Sequence, residues 1–240
     1  MSIPLEERII VALDLPSVEE AQILVERLGP QMRFYKVGLQ LFLAGCYQMV
    51  DWLAERDCKI MLDLKLFDVP QTVALAVEQL RQRPVTFATV HGNQAILKAA
   101  VEAAGDDLKI LAVTVLTSLD QGDIEDLGFA CNVEDLVLSR ARRALEVGCH
   151  GVVSSGLEVA RLRREVGYGL VAVTPGIRPV ENRPVDDQKR VMGPKEAIAA
   201  GADYLVIGRP IRNAEDPHAM VESLQREIEK GLRERTNGKD

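Results

Sequence analysis

Cysteine and histidine are scarce in this chain, and neither is spaced like a set of metal ligands. The sequence holds four cysteines and three histidines in 240 residues, with no Cys-x-x-Cys pair and no His-x-x-x-His pair. Structural zinc sites and compact disulfide frameworks depend on such spacings. We therefore expect reduced thiols and no structural zinc.

A surplus of basic residues and a long apolar run are also missing. The net charge of −7 argues against a protein that coats nucleic acid, although it allows a local basic pocket for a small anion. No apolar run approaches the ~18 residues that span a bilayer, and residues 1–7 show no basic region followed by an apolar stretch. We expect a soluble cytoplasmic protein that binds neither nucleic acid nor a membrane.

What the sequence does contain is a regular alternation of short apolar segments with longer amphipathic ones. Most of the short segments are apolar throughout, which is typical of parallel strands covered on both faces. The predicted strands are 8–14, 33–38, 59–65, 86–91, 109–115, 151–155, 170–174 and 203–208. Between the first two, Ser17, Glu20 and Gly29 have the spacing of a capping box and a helix stop, which predicts a helix over 17–28.

Eight such strand and helix pairs predict an α/β fold of the (β/α)8 or TIM barrel type. Barrels of this type commonly form one domain of about 250 residues, so we expect residues 1–240 to be a single catalytic domain. The rival is a doubly wound open sheet, which usually has a glycine-rich turn after its first strand. Here that turn is Asp14-Leu15-Pro16-Ser17, so the barrel is favoured.

The array Asp63-x-Lys65-x-x-Asp68 ends the third predicted strand. Period-2 geometry puts Asp63 and Lys65 on one face, with Asp68 in the loop beyond. Neighbouring carboxylates favour the charged form of a lysine, so the pattern predicts an ammonium suited to proton donation rather than to Schiff-base chemistry. The alternative is a salt-bridged strand end without catalytic function.

Polar residues also close or follow the other predicted strands. They are Asp14, Lys36, His91, Thr117, Ser118, Arg178 and Arg209. Because the carboxyl ends of barrel strands meet on one face, we expect these side chains at one rim. Gly208 and Arg209 have the features of a phosphate site, although a tight turn with a solvated arginine would look the same.

Several other segments have plainer interpretations. The loop 175–194, which carries Arg178, Gln188 and Arg190, is either a lid over an anionic substrate or a merely solvated loop. His91 is more typical of a satisfied core histidine than of a catalyst. The arginine-rich segments 140–143 and 161–164 are expected on solvated helix faces, and the charged tail 231–240 is expected to fray.

Taken in order, these segments resemble the orotidine 5′-monophosphate decarboxylase family over essentially the whole length. The matching segments are 11–14 (VALD), 36–38 (KVG), 63–70 (DLKLFDVP), 113–118 (VTVLTS), 173–178 (VTPGIR), 187–188 (DQ) and 206–209 (VIGR). Two positions depart from common family sequences, namely Phe67, where histidine is frequent, and Gly92, where alanine is frequent. Both departures leave the charged residues intact.

The resemblance implies a lyase of pyrimidine biosynthesis, a homodimeric barrel that needs no metal or organic cofactor. Lys65 would protonate C6 of orotidine 5′-monophosphate as carbon dioxide leaves, beside Asp63. Asp68 would reach into the partner's active site. Asp14, Lys36 and Asp68 would hold ribose hydroxyls, and Thr117 would lie near the base. The 5′-phosphate would be bound by a set that comprises Arg178, Gln188, Gly208 and Arg209.

Two alternatives to this function stay open at the level of the sequence. Sugar-phosphate enzymes resembling 3-keto-L-gulonate 6-phosphate decarboxylase share the Asp-x-Lys-x-x-Asp pattern, but they bind magnesium through a glutamate where this chain has Lys36. A catalytically silent barrel that binds a nucleotide is the other alternative, and its signature would be binding without turnover.

Overall fold

The chain folds into a closed barrel of eight parallel strands, and the structure, a computed structural model, describes residues 3–179 and 190–237. The strands are β1 (Ile9–Ala12), β2 (Phe34–Gly38), β3 (Lys59–Leu66), β4 (Phe87–Val90), β5 (Lys109–Val113), β6 (Gly151–Val153), β7 (Val171–Thr174) and β8 (Tyr204–Ile207). The helices are α1 (Val18–Leu28), α2 (Leu39–Ala54), α3 (Pro70–Arg81), α4 (Gln94–Ala104), α5 (Gln121–Asp126), α6 (Val133–Glu146), α7 (Gly156–Glu165), α8 (Pro194–Ala199), α9 (Arg209–Arg212) and α10 (Pro217–Asn237).

Pairing of β8 with β1 closes the barrel and confirms the predicted (β/α)8 fold over an open sheet. Each predicted strand is present, and most are shorter than predicted by one or two residues at an end. The first helix begins where its cap predicts, since the Ser17 hydroxyl accepts the backbone N–H of Glu20. It ends at Gly29, whose φ of 73° suits a residue without a Cβ.

The strands are apolar throughout because the barrel interior and the shell under the helices are both buried. The interior holds the rings of Phe34, Phe87 and Tyr204, whose centroids lie 5.4 to 5.7 Å apart. Neighbouring strand residues such as Val11 and Ile60 point the other way and pack beneath the helices. This packed interior forms the floor on which the carboxyl-end face is built.

Two sequence predictions at the amino-end side of the barrel are wrong. Arg163 is not solvated: it is buried in α7, where it forms an ion pair with Asp203 and donates to the carbonyls of Gly201 and Leu170. The tail does not fray at 231, because α10 continues to Asn237. There Arg235 lies 3.8 Å from the same Asp203 carboxylate. Long-range charge pairing therefore orders both segments.

Across 3–179 and 190–237, none of the helices is both long enough and apolar enough to cross a membrane.

Candidate active site

A cleft of about 660 Å³ opens at the carboxyl ends of the barrel strands. Its lining includes most of the residues that the sequence singled out: Asp14, Lys36, Asp63, Lys65, Thr117, Ser118, Arg178, Gly208 and Arg209. These residues share one rim as predicted, but His91, predicted at the same rim, lines a separate pocket with Phe67 and Gly92.

Four of these side chains form a row of alternating charge. The Lys36 ammonium donates to Asp14 Oδ1 at 2.8 Å and lies 3.5 Å from Asp63 Oδ2. The Lys65 ammonium lies 3.0 Å from the same Asp63 oxygen. Lys36 and Asp63 are the buried members, whereas Asp14 and Lys65 are more exposed. Lys65 is thus the ammonium that stands at the open end of the row.

The barrel's period-2 alternation explains why charges occur at this height. Lys36 follows Phe34 by two residues, and Asp63 follows Met61 by two; Phe34 and Met61 both belong to the interior cluster. Side chains two apart share a face, so each charged group sits one layer above an apolar interior residue. The strands therefore place a layer of charged side chains directly above the apolar interior of the barrel.

The backbone between Asp63 and Lys65 does not have regular strand geometry. The φ of Lys65 is 51°, in the left-handed region, and the register between β3 and β4 shifts between Leu62 and Leu66. Period-2 reasoning correctly placed the two side chains together, but the backbone between them is a bulge rather than a regular strand. The bulge directs the Lys65 ammonium back toward the Asp63 carboxylate.

Burial alone would disfavour charge on the two inner members of the row, and their neighbours overcome it. Burial lowers the pKa of Lys36, but the carboxylates of Asp63 and Asp14 outweigh burial, so its pKa is raised. Burial raises the pKa of Asp63, but Lys36 and Lys65 outweigh burial, so its pKa is lowered. Both groups are ionised at neutral pH.

Arginines also line the cleft, close to the Asp14 end of the row. Arg178 follows β7 and is buried, and Arg209 begins α9 directly after Gly208. A third guanidinium, which the sequence analysis missed, comes from Arg212: it lines the cleft and donates to the backbone carbonyl of Asp14. Three arginines at one end of the cleft provide a site for an anion.

One predicted site residue, Asp68, does not line this cleft, and another, Gln188, cannot be placed. Asp68 lies in the loop after β3, is exposed, and accepts the backbone N–H of Val69 at 2.6 Å; it does not line the described cleft. Gln188 lies outside the described residues, as do Arg183 and Lys189 of the same loop.

The described part of the chain contains no group of three or more histidine, cysteine or acidic side chains placed to hold a metal ion. Cys58, Cys131 and Cys149 are free thiols in the structure.

Comparison with known proteins agrees with this geometry. The sequence model described as "Orotidine 5'-phosphate decarboxylase / HUMPS family" matches residues 7–224. The chain belongs to this family. Orotidine 5′-phosphate decarboxylase from Methylococcus capsulatus is 62% identical over 227 residues, which cover 94% of this chain and 93% of the relative. The Nitrobacter winogradskyi enzyme of the same name is 50% identical over 228 residues, 95% of each chain.

A solved structure extends the likeness to three dimensions. Orotidine 5′-phosphate decarboxylase from Lactobacillus acidophilus superposes with a TM-score of 0.82 at 35% identity, covering 92% of this chain and 99% of that one. The family description joins two groups of enzymes under one name, so the family match alone does not separate them. The names of the similar curated proteins favour the decarboxylase over the sugar-phosphate alternative.

The sequence predicts that the loop 175–194 is either a lid over an anionic substrate or a solvated loop, and Arg190 of this loop fits neither description. Its guanidinium is buried, pairs with Glu158 at 2.6 Å, and donates to the carbonyls of Val115 and Leu116. It therefore braces the backbone just before Thr117 instead of facing the cleft. The sequence could not show this, because Glu158 is 32 residues away along the chain.

The two departures from common family sequences are in contact. A Cβ added at Gly92, whose φ is 128°, would lie 3.0 Å from the Phe67 ring and 2.8 Å from Ile96. The Phe67 ring meets His91 edge to face at 5.4 Å. His91 is not the satisfied core histidine expected, since its Nδ1 is buried without a partner in the described structure. Burial lowers its pKa, and Arg140 and Lys65 lower it further.

Proposed function

We propose that this chain decarboxylates orotidine 5′-monophosphate to uridine 5′-monophosphate in de novo pyrimidine biosynthesis. The observation that carries the proposal is the row of alternating charges, Asp14, Lys36, Asp63 and Lys65, in a cleft that arginines also line. The names of relatives at 62% and 50% identity supply the substrate. Residues 1–240 act as one catalytic domain in the cytoplasm under this proposal.

Lys65 is the proton donor in the proposed reaction. The bond between C6 and the carboxylate carbon breaks, its electron pair stays on C6, and carbon dioxide leaves. The Lys65 ammonium passes a proton to C6, and the neutral amine regains one from water. A fixed ammonium in a closed, dry site stabilises the developing charge more than bulk water does. Repulsion between Asp63 and the departing carboxylate is a secondary contribution.

The remaining residues bind the nucleotide. Asp14 and Lys36 hold ribose hydroxyls together with Asp68 of a second copy, Thr117 lies near the base, and the phosphate is bound by Arg178, Gln188, Gly208 and Arg209. No metal and no organic cofactor takes part. Phosphate binding far from C6 still assists the chemistry if it drives closure over the substrate.

A homodimer completes the site in this proposal. Phe67 and Val69, which flank Asp68, are 67% and 62% exposed, and Leu39 and Leu43 in α2, the helix after β2, are 58% and 85% exposed. Exposed apolar side chains of this size favour burial against a partner. Covering them with a second copy would carry Asp68 toward that copy's cleft.

The magnesium-dependent sugar-phosphate reaction is the second candidate. Lys36 argues against it, because an ammonium bonded to Asp14 at 2.8 Å and close to Asp63 would oppose a divalent cation among the same carboxylates.

The deciding experiment follows the ultraviolet absorbance of orotidine 5′-monophosphate after addition of purified protein in excess EDTA. Conversion to uridine 5′-monophosphate supports the proposal. Activity on a keto-sugar phosphate only after magnesium is restored supports the second candidate. Tight nucleotide binding without turnover of either substrate supports a catalytically silent barrel.

Two variants test the roles of Lys65 and Asp68. Lys65→Ala should abolish turnover, whereas Lys98→Ala, which removes a lysine from an exposed helix pair, should not. Mixing the inactive Lys65→Ala and Asp68→Ala proteins should restore activity, because a hybrid dimer contains one intact site. Failure of the mixture despite verified subunit exchange would count against a shared site.

A further inference from the structure

A buried threonine hydroxyl lies between the two charged groups on which the proposed chemistry depends. Thr89 in β4 is 1% exposed. Its hydroxyl donates to Asp63 Oδ1 at 2.9 Å and accepts the backbone N–H of Lys65 at 2.9 Å. A buried hydroxyl is unfavourable unless it is hydrogen-bonded, and this one uses both its donor and an acceptor site.

The bond to Lys65 compensates for the bulge in β3. Leu62 pairs with Ala88 and Leu66 pairs with Val90, so residues 63–65 face Thr89 alone. A bulge leaves backbone groups without ladder partners, and a left-handed φ in a residue with a Cβ persists only where the surroundings hold it. The Thr89 hydroxyl supplies the missing acceptor for the left-handed residue, Lys65.

The bond to Asp63 fixes the plane of the carboxylate. Thr89 binds Oδ1, while the other oxygen, Oδ2, lies 3.0 Å from the Lys65 ammonium and 3.5 Å from that of Lys36. Because the two oxygens of a carboxylate turn together, holding Oδ1 also holds Oδ2. One hydroxyl therefore constrains the backbone of Lys65 and the anion that its side chain contacts.

We propose that Thr89 is a positioning residue for proton transfer, which aligns Asp63 and Lys65 so that the Lys65 ammonium faces the carbon that loses its carboxylate. This inference rests on the proposed function and deepens it. Thr89 does not line the cleft, so its contribution is to the geometry of the ground-state enzyme.

Thr114 provides a matched control. It follows β5, is fully buried, and its hydroxyl donates to the backbone carbonyl of Val153 at 2.8 Å. Thr89→Val and Thr114→Val each remove a buried, bonded hydroxyl without changing side-chain shape. A difference between the two variants in rate therefore reports on Asp63 and Lys65 rather than on the general cost of losing a hydrogen bond.

The experiment measures kcat and KM for orotidine 5′-monophosphate, the affinity for uridine 5′-monophosphate, and thermal unfolding. Thr89→Val should lower kcat about 100-fold, the loss typical of a reacting group displaced by about 1 Å, with KM and product affinity unchanged. Thr89→Ser, which keeps the hydroxyl, should retain most of the wild-type kcat. Thr114→Val should have the wild-type kcat. The acid limb of the Thr89→Val pH profile should move to higher pH, since a donor to the Asp63 carboxylate is lost.

The outcomes separate this inference from the proposed function. Wild-type kcat in Thr89→Val, or equal losses in Thr89→Val and Thr114→Val, would overturn the inference while the decarboxylase assignment stands. An inactive wild type would overturn both. Should Thr89→Val fail to fold, the comparison of Thr89→Ala with Thr89→Ser applies: the serine variant must be the faster, and equal rates would overturn the inference.

Discussion

Gly38 offers the most sensitive probe of the charged row, because a single methyl group can disturb it without removing any charge. Gly38 ends β2 and precedes α2 with a φ of −105°, so an alanine there meets no backbone strain. A Cβ at this position would lie 2.9 Å from Asp14 Oδ1 and 2.9 Å from Lys36 Nζ. Gly38→Ala therefore pushes directly on the Asp14–Lys36 pair.

The size of the effect follows from which group can yield. The Asp14 side chain is 46% exposed and Lys36 only 9%, so Asp14 moves outward and its 2.8 Å bond to Lys36 is lost. Overpacking costs about 1–3 kcal/mol in stability, and the lower end applies where a neighbour can move, which lowers the Tm by about 2–4 °C. A charge-assisted hydrogen bond is worth about 1.5–3 kcal/mol, which corresponds to about a 10- to 150-fold loss of kcat/KM.

The assay compares kcat/KM for orotidine 5′-monophosphate with thermal unfolding in the same preparations. Gly122→Ala is the matched control, since a Cβ there meets only Asp120 Oδ1, at 3.4 Å. It should leave kcat/KM unchanged and keep or raise stability by up to about 1 kcal/mol. Wild-type kcat/KM in Gly38→Ala would refute the argument that the Asp14–Lys36 pair is held at this spacing for activity.

Three further predictions concern other charged side chains. Arg163→Met should lower the free energy of urea unfolding by about 3–5 kcal/mol, because Asp203 stays largely buried; a loss below about 1 kcal/mol would contradict the buried-pair interpretation. Arg190→Met should cost a similar amount, and adding Glu158→Leu should restore much of it, since the double variant leaves no unpaired charge. The stability difference between wild type and Asp63→Asn should be constant from about pH 5 to 8 and shrink below about pH 4, because a lowered carboxylate pKa contributes stability only above its unfolded value and loses it as pH falls; an unchanged difference in acid would contradict the lowered pKa.

The barrel and the charged row were predictable because both follow from short-range periodicity. Apolar strands of even spacing indicate a closed parallel sheet, and a charge two residues beyond an interior apolar side chain must emerge at the carboxyl end. Lys36 and Asp63, which were found because they close predicted strands, obey this rule. The same rule would have found Thr89, which follows Phe87 by two residues. It was overlooked because threonine is a common β-branched residue in strands and gives no separate signal of function there.

What the sequence could not predict depends on contacts between distant residues. Arg163 and Arg190 occur in segments whose sequences resemble a solvated helix face or a solvated loop. Each is nevertheless buried, and its charge is paired with a carboxylate more than thirty positions away along the chain. The left-handed turn at Lys65 is also invisible to a period-2 argument, because it depends on the neighbouring strand having fewer residues over the same span.

The contact between Phe67 and Gly92 bears on how sequences of this family can diverge. An alanine at 92 would place its Cβ 3.0 Å from the phenyl ring, in a backbone conformation that already disfavours side chains. Two positions that compete for one small volume cannot change independently: the effect of each substitution depends on the residue already present at the other. An alanine at 92 is therefore expected to have a different effect beside the phenyl ring of Phe67 than beside a smaller side chain at that position.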